Sequence, residues 1–228
     1  MKVKNDHGAP ESFVRFCEAD EYSKGEADYS VTELIEEPRI VQLKRRYPEL
    51  DIRDPYEDPW LFIGQMFHKL MEMNSPEDEI SERRFFNRCT PESESEHKII
   101  SGAIDVIKIR KTEDAAFVTL EDYKVTSAFS LKDIENPPVK WEQQLNLYAY
   151  LFEEYASSSG VSMYPNLVID LEIYAFLRDW RITVSEKVDS YPRRPGVTVP
   201  IPLWPYDERK AYMEERLTLQ VESEKLED

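Results

Sequence analysis

Apolar residues recur along the chain with two periods. Between Asp58 and about Met73, the residues Trp60, Gly64, Phe67, His68 and Met71 fall three and four apart, which predicts a helix with that side facing inward. The period then shortens: "ISERRFF", "HKIISGAIDVIKIR" and "AFVTLEDYKV" are rich in β-branched and aromatic residues and predict three successive strands. Helical spacing returns in "VKWEQQLNLYAYLFEEYA", with Trp141, Leu145, Tyr148 and Phe152 as its stripe and "SSSG" as its close, and "LVIDLEIYAFL" predicts a further strand.

Upstream, residues 1–29 are polar and turn-rich. Ser30 and Glu33 then have the capping-box spacing, and a helix from about Val31 is interrupted at Pro38 and ends before Pro48. Downstream, Pro192, Pro195, Pro200, Pro202 and Pro205 predict an extended, loop-like stretch, followed from Tyr206 by a charged surface helix. The order helix, strands, helix, strand predicts an α/β fold, a central mixed sheet flanked by helices. One domain is expected: an N-terminal extension over 1–57, a core over 58–178, and a Pro-rich loop with the C-terminal helix over 179–228.

Composition narrows the chemistry. Of 228 residues, 41% are hydrophobic and 12% aromatic, enough to build a core. Two cysteines, Cys17 and Cys89, supply neither a disulfide framework nor a four-cysteine zinc or iron–sulfur site. "MKVKNDHGAP" lacks the apolar run of a signal peptide and "LNLYAYLF" is too short to span a bilayer, so a cytoplasmic protein without a membrane partner is expected. The formal charge of −17 repels phosphate at long range. Basic clusters in "LKRRY", "SERRFFNR", "KIRK" and "YPRRP" read on composition as solvated faces, with a positive groove inside an acidic shell as the alternative.

The candidate chemistry starts in "VTLEDYKVTSAF". On an extended strand Val118, Leu120, Asp122 and Lys124 share a face, so an apolar strand ends in an acid and a base. The acid-x-lysine pattern recurs at Glu96 with Lys98 and at Glu208 with Lys210, but only Asp122 and Lys124 close an apolar strand. Asp105 shares a face with Ala103 and Ile107 on the preceding strand, where a bare carboxylate needs neutralising. Residues opposite each other on paired strands lie about 5 Å apart, so Asp105 and Asp122 can meet. Two readings stay open at this point: a buried ion pair with Lys124, or a divalent cation held by both aspartates. His68 lies on a helical face otherwise apolar, where histidine is commonly a hydrogen-bonded packing residue, and Gln144 and Tyr148 project together at a spacing of four.

The order "GQMFH", "SGAID", "EDYK", "QLNLY" resembles the RecB-like branch of the PD-(D/E)XK nuclease superfamily over about residues 58–178. The resemblance implies a restriction-endonuclease-like core and metal-dependent hydrolysis of DNA. It matches His68 to the family's helix histidine, Asp105 to its first metal aspartate, Asp122 and Lys124 to its acid-x-lysine pair, and Gln144 with Tyr148 to its Q-x-x-x-Y motif. Glu82 matches the upstream glutamate; it also fits an ordinary exposed strand.

The resemblance further implies Mg²⁺ or Mn²⁺ held by Asp105, Asp122, His68 and the main-chain carbonyl of Tyr123, with Lys124 orienting or helping deprotonate water and offsetting charge. Gln144 and Tyr148 are expected to position the active site and the DNA. The cysteine count excludes the iron–sulfur subtype, and no G-x-x-x-x-G-K-[ST] loop provides an ATP motor. Free-standing relatives trim DNA ends in recombination or repair and are often phage-encoded, so linear DNA ends are the expected partner, with a homo-oligomer or recombination protein supplying positive field. The alternatives are an inactive module of the same fold that binds DNA ends or proteins, and a nuclease acting on RNA.

Overall fold

The computed structural model describes residues 2–19, 24–93, 95–131, 136–158 and 167–226. In chain order the elements are β1 (Lys2–Val3), α1 (Glu11–Glu18), β2 (Tyr29–Ser30), α2 (Val31–Leu34), α3 (Pro38–Arg46), β3 (Ile52–Arg53) and α4 (Pro59–Met73). Then come β4 (Glu79–Cys89), β5 (Lys98–Lys111), β6 (Ala116–Thr126), α5 (Val139–Ser158), β7 (Leu167–Leu177), α6 (Ile182–Ser185), β8 (Gly196–Ile201) and α7 (Tyr206–Glu224). Short 3₁₀ turns follow α3 and β6, at Pro48–Leu50 and Ala128–Leu131.

The expected strand run is present as β4, β5 and β6, consecutive antiparallel neighbours. The connection from β6 through α5 brings β7 alongside β6 in parallel, and β8 returns antiparallel on β7, which makes the sheet mixed. Helices cover both faces. On one, Phe67 of α4 meets Tyr123 edge-on at 6.0 Å and stacks on Phe176 at 5.4 Å. On the other, α5 contributes Leu145, Leu147, Tyr148 and Leu151 to the main core, where Ile100, Leu120 and Ile173 are also fully enclosed. Its residues 144–152 are buried all round, beyond the predicted stripe, because α7 packs against its outer side.

Three expectations change. The Pro-rich stretch contains β8, an edge strand whose Val199 is fully buried; an edge position tolerates Pro200, which has no N–H to donate. The charged C-terminal helix is a core element, with Met213, Leu217 and Val221 fully buried at intervals of four. On α4, Trp60 is 48% exposed rather than inward-facing, and Phe62 is the enclosed residue. The capping box is present: Ser30 Oγ accepts from Glu33 N–H and Glu33 accepts from Ser30 N–H, and Pro38 starts a separate helix. Ser157 and Ser158 end α5, while the rest of "SSSG" lies outside the described residues. No helix among the described residues is long and apolar enough to cross a membrane.

Candidate active site

The site arises where β6 leaves β5. β4 pairs with one edge of β5 from Lys98 to Lys108. The other edge is therefore shared: β2 takes it at Ile100 and Ser101, and β6 from Val106 to Lys111. Residues Gly102 to Asp105 face neither strand there, so β5 and β6 form a fork. The offset that pairs Val106 with Glu121 would next set Asp105 opposite Asp122, as the sequence suggests, and at that point the ladder ends. Instead of a backbone acceptor, Tyr123 N–H finds Asp105 Oδ2 at 2.7 Å. Beyond the fork β6 continues on β7 alone, Asp122 beside Ile173 and Lys124 beside Ala175.

β4 is also distorted at this level. Its pairing with β5 keeps one offset throughout but omits Glu82 and Asp105, and Glu82 has φ +49°, a left-handed conformation unfavourable for a side chain with a Cβ. Such a conformation costs on the order of 1 kcal/mol or more and persists where the surroundings impose it.

On the α4 side of the fork, His68 Nδ1 lies 3.1 Å from Asp105 Oδ2. One ligand atom each from His68, Glu82 and Asp105 lie within 4.8 Å of one another. Burial pushes the Glu82 carboxyl up to about 7, reinforced by the Asp105 charge, although the residue keeps an exposed side. For His68, burial works against the charged ring, but the hydrogen bond and charge of Asp105, aided by Asp122, outweigh it and raise the pKa.

On the α5 side, Lys124 Nζ lies 2.5 Å from Asp122 Oδ2 and donates to Gln144 Oε1 at 3.1 Å. Gln144 Nε2 donates to Asp122 Oδ1 at 3.0 Å and to the Tyr148 hydroxyl at 2.9 Å. Both amide protons of Gln144 are thus used, which fixes its carbonyl toward the ammonium. Asp122 is almost wholly buried, and burial first, then the competing charges of Lys124 and Asp105, leave its carboxyl raised to about 6. Its Oδ2 has the Lys124 charge beside it but accepts no aligned hydrogen bond.

Gly102 makes this arrangement possible. A Cβ there would stand 2.8 Å from the Tyr148 ring and 2.9 Å from Leu151, so only glycine lets Tyr148 lie this close against the face of β5 at the fork. Gly102 lies within "SGAID", and a glycine inside a strand pattern is the signal that marks such a close approach.

The fork therefore gathers the expected residues as two neighbouring clusters. Asp122, Lys124, Gln144 and Tyr148 are joined by contacts. His68, Asp105 and Glu82 form the ligand-sized group, Glu82 taking the position expected for Asp122 in the metal set. Tyr123 enters through its N–H, where the carbonyl was the expected ligand atom. The clusters sense each other electrostatically: Asp105 raises Asp122 and His68 lowers it.

No protein-family model matches the chain, and no curated protein matches its sequence. Among solved structures, the crystal structure of SSO0001 is similar, with a TM-score of 0.57 and 16% identity over 90% of this chain and 82% of that one. At that identity the likeness establishes a shared α/β architecture with a mixed central sheet.

Proposed function

We propose that the protein is a Mg²⁺- or Mn²⁺-dependent nuclease that hydrolyses DNA phosphodiesters, an exonuclease of the RecB-like PD-(D/E)XK kind with a restriction-endonuclease-like core. The observation that carries this reading is the fork itself, which sets a ligand-sized trio of His68, Glu82 and Asp105 beside a lysine held in a fixed direction.

The donor set fits the ion. Two carboxylate oxygens and one imidazole nitrogen within 4.8 Å of one another suit a divalent cation that prefers oxygen and accepts histidine, and the buried Asp122 Oδ2 offers a further acceptor with no hydrogen-bond donor of its own. When bound there, such an ion supplies Lewis acidity toward phosphate and acidifies water. The rest falls to the chain. Lys124 has three donors; Gln144 Oε1 takes one and the Asp122 charge lies beside the ammonium, which leaves N–H groups for a phosphate oxygen or attacking water. Gln144, pinned by Asp122 and Tyr148, sets the direction of that donor.

The surrounding field is adverse, at a net charge of −17. Affinity for DNA ends then depends on the ion and on a homo-oligomer or recombination partner that adds positive charge. The test compares linear and closed circular DNA, each with and without Mn²⁺. Linear DNA is expected to be degraded only with the metal, and Lys124→Ala to slow this by on the order of 10²–10³-fold while keeping Mn²⁺-dependent thermal stabilisation. Unchanged cleavage by that variant removes Lys124 from the mechanism; faster loss of matched RNA points to RNA as substrate.

One observation favours a second reading, a non-catalytic DNA-end or protein-binding module. The Asp122 charge is offset internally by Lys124, its Oδ1 is bonded by Gln144, and it stands outside the ligand-sized trio. On that reading Mn²⁺ gives no stabilisation at all, since nothing links metal binding to folding.

A further inference from the structure

At the start of α4, eight residues before His68 and so roughly 12 Å along the helix axis, Trp60 leaves 48% of its surface open. The Arg178 guanidinium lies over its ring, 4.3 Å from the centroid. Arg178 sits just past β7, where its N–H donates to Thr126 O at 2.9 Å. β7 aligns Ala175 with Lys124 and Leu177 with Thr126, so this pair stands at the end of β6 that carries Lys124. Between the pair and the site, Phe176 stacks on Phe67, and Phe67 and His68 both meet Tyr123 edge-on. Phe176 is itself 38% exposed. A row of rings thus runs from the surface to the Asp105 ligand.

The guanidinium of Arg178 is held by an aromatic face rather than by an acid. Arg45, Arg53, Arg193 and Arg209 each pair with a carboxylate, whereas Arg178 has no carboxylate partner among the described residues. An unpaired planar guanidinium presents a fork suited to phosphate, and an open indole presents a face suited to a nucleobase. Base faces are accessible only where a strand is unpaired; in a duplex they are stacked on one another.

Resting on the nuclease reading, we propose that Trp60 and Arg178 form a platform for an unpaired DNA strand, Trp60 stacking a base and Arg178 taking the adjoining phosphate, so that the site receives its substrate single-stranded. The charge complementarity of Arg178 with phosphate selects this occupant over an apolar protein segment, which would bury the guanidinium unpaired.

The test measures fluorescence anisotropy of a labelled oligothymidylate and of a blunt duplex, in EDTA, so that neither metal nor hydrolysis enters the readout. Trp60→Ala is expected to weaken binding of the single strand roughly tenfold, Trp60→Phe to restore most of it, and Arg178→Ala to weaken it and flatten its salt dependence. Duplex affinity should move less than about twofold, since no unstacked base is lost. A wild-type protein that does not bind the oligothymidylate, an unchanged affinity in Trp60→Ala, or an equal loss on duplex overturns the proposal. Because the assay is metal-free, a protein that binds in this way yet cleaves nothing would remove the nuclease reading and leave the platform standing.

Discussion

The two sides of the fork are each built around one aspartate and are in different electrostatic states. On the α5 side, Asp122, Lys124, Gln144 and Tyr148 form a closed set in which one acid meets one base and both amide protons of Gln144 are used. On the α4 side, two carboxyl groups share a single histidine, the Glu82 carboxyl is raised to about 7, and its backbone is held at φ +49°. The contrast separates aim from demand. The neutral side is tied together by its own contacts and directs a lysine; the other carries uncompensated acid and backbone strain, the condition expected where a cation is to be received.

The most severe way to break the comparison is Asp105→Asn, which removes the one carboxylate tied to both sides through His68 and Tyr123 N–H. Mn²⁺-dependent degradation should fall by on the order of 10³-fold, and the Mn²⁺-induced rise in melting temperature should vanish. Retention of that rise would move the metal elsewhere.

Gly102→Ala attacks the α5 side through packing alone. The new methyl meets Tyr148 and Leu151 at under 3 Å, and the overpacking is expected to cost about 1–3 kcal/mol, read from the urea midpoint. Cleavage should fall with it, while Mn²⁺ stabilisation persists because the ligand trio is untouched. A variant as stable as the parent would show that Tyr148 is free to shift.

The smallest effect concerns protons. The folded Glu82 carboxyl, raised to about 7 by burial and Asp105, binds a proton over a range where the unfolded chain, with a glutamate pKa of about 4.3, does not. Folded protein therefore holds more protons between those values, and metal-free stability falls as pH rises through that window. Glu82→Gln should flatten the slope, melting about 2 °C above the parent at pH 8 and together with it near pH 4. A remnant of slope should survive, since Asp122, raised to about 6, has the same sign. Solvent screening at the exposed side of Glu82 keeps the shift small.

Much of the fold is written in local pattern. The strand run, the helix carrying Gln144 and Tyr148, and the break at Pro38 each follow from periodicity or from proline, which acts within a few residues. What pattern conceals is partnership. Met213, Leu217 and Val221 have the right spacing for a buried face, but the surrounding charge of α7 hides it until α5 and α3 are placed beside it. β8 is masked by Pro200 and Pro202, which rule out a central strand and leave an edge one allowed. At the site, the acid, base and amide at Asp105, Asp122, Lys124 and Gln144 were legible as residue types, and the register points Asp105 toward Asp122 although the ladder stops one pair short of them. The divergence of β5 and β6 was not legible, because register depends on which strand occupies the rest of β5's edge, and β2 is only two residues long. The regrouping of Glu82 with His68 likewise follows from a backbone conformation that the sequence does not announce.

That two-residue strand ties the opening of the cleft to the far end of the chain. Tyr29, fully enclosed, donates its hydroxyl to Glu224 in the last turn of α7, Arg45 lies 4.0 Å over its ring, and Gln220 Nε2 reaches Glu33 O at 2.8 Å. The prop of the fork is thus clamped by a contact between residues 195 positions apart, so loosening α7 alone should let β2 slip from β5 and change the width of the opening without touching any residue that lines it.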